Sequence, residues 1–193
     1  MLMSNGTSIS VGNRKMGSIP SVSLMPGVSC VENAPCLKDC YAANNCPGTL
    51  KSWKRNMEVL TDDPVGYMDD IKAFLAREPP FFRWHVGGDI PSHWYLYEMT
   101  VIAQMYEAVK FLCFTKRWLD LSFEQREIPR NLSIVLSMWP TLKRTGRQRL
   151  PRAWIMGDPR IPSDALECPG NCATCAMCWN LNEIGRDVMF PKH

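Results

Sequence analysis

Pro80-Phe81-Phe82-Arg83-Trp84-His85-Val86-Gly87-Gly88-Asp89-Ile90-Pro91 is the stretch that decides the fold. It begins as an apolar strand and ends in a Gly-Gly-Asp turn. Ser92 then opens a helix that runs to about Ala108 and puts Leu96, Met99, Ala103 and Tyr106 on one face. A strand, a tight turn and a helix are half of a β-α-β unit, and the sequence outward in both directions completes it. Downstream, Val109 to Phe114 reads as a strand ending in Thr115-Lys116-Arg117. A polar stretch of helical character leads to the strand Leu132 to Met138, and another strand covers Ala153 to Met156. Upstream, Asp63-Pro64 starts a helix carrying Met68, Ile71, Phe74 and Leu75. Thr49 caps a second helix with Leu50, Trp53, Met57 and Leu60, and Ile19 to Met25 reads as a strand running into Pro26-Gly27.

Strands alternating with helices require right-handed crossovers and a parallel sheet. About five strands are too few to close an eight-stranded barrel. The expected fold class is therefore α/β, a partial, open parallel β/α barrel followed by a C-terminal Cys-rich cluster-binding segment. The expected division is a flexible N-terminal arm over residues 1–18, the barrel domain over 19–160, and the Cys-rich segment over 161–193. In such sheets the functional site lies at the C-terminal ends of the strands. Gly87-Gly88-Asp89, Thr115-Lys116-Arg117, Ser137-Met138-Trp139 and the Gly157-Asp158 turn all fall there, and so does a cysteine-rich loop.

Eight of the nine cysteines form two quartets: Cys30, Cys36, Cys40 and Cys46 after the first strand, and Cys168, Cys172, Cys175 and Cys178 near the C-terminus. Thiolates so crowded repel one another unless a cation sits among them. The second quartet, with C-x3-C-x2-C-x2-C spacing, reverses the ferredoxin order and suits a [4Fe–4S] cluster. The alternative is tetrahedral zinc, which favours two separated pairs. The first quartet is looser. It fits either a closed four-Cys cluster or a three-Cys cluster with one open iron, Cys46 then standing aside.

Composition agrees with a metal-bearing domain that does not depend on the metal for a core. The chain has 193 residues, of which 46% are hydrophobic, including 7 Trp and 12 Met. A formal charge of +3 neither demands nor excludes a nucleic-acid partner. The opening residues lack the pattern of a secretion signal, and no apolar run is long enough for a membrane helix. So many thiols then point to a reducing cytoplasm. A secreted protein with four disulfides and an odd Cys113 is the opposing reading, and crowding in the second quartet argues against it. The Asn131-Leu132-Ser133 sequon is read as a chance match.

The remaining features are individually weaker. Gly87-Gly88-Asp89 is either a tight turn capped by its Asp or a place where backbone approaches a ligand and a carboxylate holds an ammonium. His85 and His93 flank it and read as structural hydrogen-bonders or catalytic groups. Lys143, Arg144, Arg147, Arg149 and Arg152 make a basic loop, either solvated or in contact with nucleic acid. Cys113 reads as a small buried hydrophobe.

The segment from Gly12 to Cys30, the C-x5-C-x3-C loop ending at Cys40-Tyr41-Ala42, the Phe82 to Ser92 motif, Phe114-Thr115-Lys116-Arg117 and the tail Gly170 to Trp179 together resemble a phage-encoded family, gene product eighty-eight. The likeness spans about Val11 to Trp179. That family is similar to a shortened radical S-adenosylmethionine (SAM) protein. The resemblance implies that Cys30, Cys36 and Cys40 hold a [4Fe–4S] cluster with one open iron. It implies that Gly87, Gly88 and Asp89 form the SAM-binding turn, and that Cys168, Cys172, Cys175 and Cys178 hold an auxiliary cluster. The loop is C-x5-C-x3-C where radical-SAM proteins have C-x3-C-x2-C, and Asp89 stands where they have Glu. The function so implied is reductive SAM cleavage in a host cytoplasm. The alternative is a non-catalytic, redox-sensing cluster protein that contacts nucleic acid or a host protein.

Overall fold

Neighbouring residues along the central strands go to opposite faces, and both faces are buried. In the computed structural model, which describes residues 1–32, 34–117, 128–139 and 150–191, Phe111, Cys113, Ile134 and Leu136 face one core. Leu112 and Val135 face the other. Two-sided burial is why Phe111 to Phe114 is an unbroken apolar run, as expected of a parallel strand covered on both faces.

The sheet has eight strands in the order β1-β2-β3-β4-β5-β6-β8-β7. They are β1 (Ile9–Ser10), β2 (Ser21–Val22), β3 (Phe81–Trp84), β4 (Lys110–Thr115), β5 (Leu132–Ser137), β6 (Arg152–Ile155), β7 (Leu166–Glu167) and β8 (Val188–Phe190). Every pairing from β2 onward is parallel, and β1 alone is antiparallel. Strands β2 to β6 are neighbours in chain order, and the two edge strands do not meet. The fold is thus the expected open, mostly parallel α/β arrangement. It has three more strands than the sequence suggested: β1, β7 and β8 are two or three residues long, too short to show a period.

Helices α1 (Pro47–Asp62) and α2 (Pro64–Leu75) cross from β2 to β3, and α3 (His93–Met105) crosses from β3 to β4. Each starts where its chemistry dictates. Pro47 and Pro64 occupy first-turn positions whose N–H needs no partner, Asp63 accepts from Gly66 N at 2.9 Å, and Ser92 accepts from Tyr95 N at 3.2 Å. Helices α2 and α3 bury Tyr67, Met68, Ile71, Met99 and Ile102 against Val22, Phe82, Trp84 and Phe111. The polar helical stretch expected before β5 lies largely outside the described residues, as does most of the basic loop from Lys143 to Arg152; only its last residues, including Arg152 at the start of β6, are described.

The opposite face is covered by the C-terminal segment. Trp179, Leu181, Cys168 and Cys178 pack with Ile19, Leu112, Val135 and Val188. Trp179 Nε1 donates to Phe82 O at 2.9 Å, and Ser133 Oγ donates to Trp179 O at 3.1 Å. The tail is therefore laid into the sheet rather than appended to it.

The first 18 residues, expected as a loose arm, are packed down. Ile9 and Met16 are buried. The buried Asp70 of α2 accepts from Ser4 Oγ, Asn5 N and Thr7 N, each at 3.0 Å. A Gly/Ser-rich composition hid this, because the order comes from a partner more than sixty residues away. The Asn131 side chain reaches the carbonyls of Ala103, Tyr106 and Val109, so that sequon's amide is committed to holding α3 against β5.

Candidate metal centres

The C-terminal ends of β2, β3 and β4 are laced together by short polar links. Ser23 Oγ accepts from Val86 N at 3.0 Å and Gly87 N at 3.4 Å, while Leu24 N donates to Gly87 O at 3.1 Å. Ser29 Oγ accepts from Asp89 N at 3.1 Å and donates to Met25 O at 3.1 Å. Asp89, 4% exposed, accepts from Ile90 N and Lys116 N, both at 2.8 Å. Burial pushes its carboxyl up, and hydrogen bonds from Thr115, Lys116 and Ile90 work against that rise.

Gly87-Gly88-Asp89 is thus the joint on which the first cysteine loop is mounted. A Cβ on Gly87 would meet the Trp53 ring at 2.3 Å. Gly88 has φ +83°, and a Cβ there would lie 2.5 Å from Ser29 Oγ and 2.8 Å from Leu24 O.

On that joint the four cysteines divide. Cys30 is half-buried, its Sγ accepts from Gly27 N at 3.4 Å, and its thiol is pushed up first by desolvation and further by Asp89 and Cys36, with Lys116 opposing. Cys36 and Cys40 are partly exposed, and Tyr41 Oη ties the far side of the loop to Val86 O at 2.9 Å. Cys46 stands apart in role. It is exposed at the N-cap position of α1, which starts ahead of the expected Thr49 cap, and its Sγ lies 3.1 Å from Thr49 Oγ1, a contact that holds its thiol below the ordinary range.

The second quartet lies on the excursion between β7 and β8. Cys168 N donates to Met189 O at 2.9 Å, and Asn171 caps the single turn α4 (Cys172–Cys175) by accepting from Ala173 N at 3.1 Å. Ala176 at φ +46° ends that turn and sends the chain back so that Cys178 is buried. Desolvation, followed by the fields of Cys168 and Cys172 and, more weakly, Cys175, pushes the Cys178 thiol up to about 12.

The residues roofing this quartet are ones the sequence did not flag. Cys172 N donates to Lys15 O at 3.0 Å, and Met16 packs into the same apolar cluster as Cys168 and Cys178. Arg83, on the β3 face opposite Phe82 and Trp84, donates to Met16 Sδ at 3.5 Å and lies over the Phe114 ring at 5.3 Å. A lone cation inside an apolar strand was the available signal.

All nine cysteines are free, so the disulfide reading is not what the fold contains. Among the described residues no three His, Cys, Asp or Glu side chains form a group that could hold one metal ion. The clustering of Cys168, Cys172, Cys175 and Cys178 near the C-terminus is compatible with a metal cluster.

His85 is buried, with φ +57° turning it to the same face as Trp84. Its Nε2 lies 3.0 Å from Tyr95 Oη and its Nδ1 3.8 Å from Cys113 Sγ, and Tyr95 Oη lies 3.2 Å from Tyr67 Oη. Desolvation, then Arg83, pushes its pKa down to about 3, so the ring is neutral. Cys113 is a buried residue in this chain, and His93 is exposed in the first turn of α3. Among the described residues no helix is long and apolar enough to cross a membrane.

Fold and site together define an open-sheet α/β protein with one cysteine loop on its rim and a second cysteine cluster against its inner face. The family model described as Gene product 88 matches residues 3–144, and the chain belongs to that family. The match takes in the rim loop and the Gly87-Gly88-Asp89 joint and ends ahead of the second quartet, so it is shorter than the resemblance drawn through Trp179. Comparison with curated proteins and with solved structures found no match.

Proposed function

We propose that this chain is an iron–sulfur protein with a [4Fe–4S] cluster at each quartet, the rim cluster being held by Cys30, Cys36 and Cys40 with one iron left for SAM. The observation that carries the reading is the division of the first quartet: Cys30, Cys36 and Cys40 lie on the loop that the Ser29–Asp89 and Tyr41–Val86 bonds tie to the rim, while Cys46 is turned to Thr49 at the start of α1. When bound, such a cluster supplies the electron, taken from an external reductant, that cleaves SAM to methionine and a 5′-deoxyadenosyl radical. The chain's part is placement. Gly27 N–H and the charge of Lys116 favour the Cys30 thiolate, and the Ser29–Asp89 and Leu24–Gly87 bonds fix the loop to the rim.

The test is anaerobic reconstitution followed by iron and sulfide analysis, then dithionite and SAM. The expected result is about eight irons per chain, the content of two cubanes, together with release of 5′-deoxyadenosine. Fewer than about four irons would end the cluster reading. Full iron with no 5′-deoxyadenosine and no spectral response to SAM would end the SAM reading alone.

One observation favours a second reading, a non-catalytic, redox-sensing cluster protein. Asp89 is buried and both of its oxygens already accept backbone amides, so its carboxylate is spent on the joint rather than offered to an ammonium. Cys46→Ser separates the two. Retention of the rim cluster, with its response to SAM, supports the open-iron reading, and loss of the cluster supports a closed four-Cys site.

A further inference from the structure

Arg83 has the setting of a cation awaiting an anion. It projects from β3 to the inner face of the sheet, where its guanidinium lies over Phe114 and, among the described residues, donates only to the weak acceptor Met16 Sδ. Phe114, Met16, Cys168, Cys172 and Cys178 belong to or pack against one apolar cluster. Its Nε is buried without a hydrogen-bond partner, and among the described residues no carboxylate pairs with it. A buried N–H of a charged group left unpaired is costly, so a site built this way is complete only when an acceptor arrives. The field of Arg83 already acts on Cys172 and Cys178.

We infer that Arg83 is the positioning and potential-setting partner of the cluster held by Cys168, Cys172, Cys175 and Cys178, giving that anionic cluster a cationic donor on the sheet side whose Nε–H is buried. This rests on the iron–sulfur reading of the second quartet. Reduction adds one electron to the cluster and makes it more negative. A cation and an N–H donor beside it therefore favour the reduced form.

The experiment compares wild type, Arg83→Met and Arg83→Lys after anaerobic reconstitution, by iron content and by redox titration followed by EPR. The second-quartet signal is identified by its loss in Cys172→Ser. Arg83→Met is expected to lower the reduction equilibrium constant of that signal about tenfold, or about 59 mV for one electron, with the rim signal unmoved. Arg83→Lys keeps the charge and loses the Nε–H, and is expected to shift it less in the same direction. A second readout covers the case in which Arg83→Met loads poorly. In the metal-free protein, removing an orphaned buried donor is expected to raise resistance to urea, while cluster retention falls. An unchanged or raised potential in iron-replete Arg83→Met, or a metal-free variant that is less stable than wild type, overturns the role of Arg83. A wild-type protein whose second quartet takes up no iron overturns the reading beneath it.

Discussion

Substituting Gly88 by Ala tests whether the rim joint is as tight as its contacts say. Two costs combine there. Gly88 has φ +83°, a left-handed conformation that costs an L-residue roughly 1–2 kcal/mol. The new Cβ would also stand 2.5 Å from Ser29 Oγ and 2.8 Å from Leu24 O, and the second neighbour is backbone that cannot rotate away. Forcing an extra carbon into such a site costs about 1–3 kcal/mol. Gly170 supplies the control, because its φ is +82° and a Cβ there meets nothing within 4 Å. Gly170→Ala carries the backbone cost alone, so Gly88→Ala is expected to exceed it by about 1–3 kcal/mol in urea denaturation of the metal-free protein. The damage should also be local to the first quartet, because Ser29 and Leu24 tie that loop to the turn. Iron retention at the rim should fall more than at the second quartet. Equal losses for the two variants would show that the joint is not crowded, and the account of Gly87-Gly88-Asp89 as a mounting point would fail.

Other perturbations follow from the same structure. Burial works to raise the Asp70 carboxyl, but bonds from Asn5, Thr7 and Ser4 outweigh it and hold the group below its ordinary value. Its contribution is therefore fully present above about pH 4 and is lost as pH falls through the lowered value. Asp70→Asn should cost about 1–3 kcal/mol near neutrality, the gap from wild type closing in acid, as read by denaturation at several pH values. In the metal-free protein Cys46 should be the first cysteine alkylated and Cys113 the last, since Thr49 favours the Cys46 thiolate and burial opposes that of Cys113. Peptide mass spectrometry gives the order, and Thr49→Val should slow Cys46. Trp179→Phe removes the buried bond to Phe82 O and should cost about 1–3 kcal/mol. A loss near zero would mean that the tail is not anchored to β3.

The main strands and helices were legible in sequence because they are long enough to repeat. Leu132 to Ser137 carries Leu132, Ile134 and Leu136 at alternate positions with Val135 between them, and Asp63-Pro64 and Ser92 are local helix-start signals that act within one turn. β1, β7 and β8 are two or three residues long and were not picked out, whereas the equally short β2 lies within the Ile19 to Met25 run that was read as a strand. The N-terminal stretch looked like an arm because it is Gly/Ser-rich and mostly polar. Its order depends on Asp70, which lies on another element.

The sequence by itself determined that this is an alternating β/α chain with two crowded sulfur sites and a Gly-Gly-Asp turn between them, because strand period, helix caps and thiol spacing are local properties. Only the tertiary structure decided how those parts are used. It spent Asp89 on the joint, turned Cys46 to Thr49 and set Arg83 against Met16 and Phe114 on the face that carries the second quartet. The reason is physical. Whether a buried polar atom is satisfied depends on which distant backbone amides and side chains reach it, and no pattern along the chain contains that.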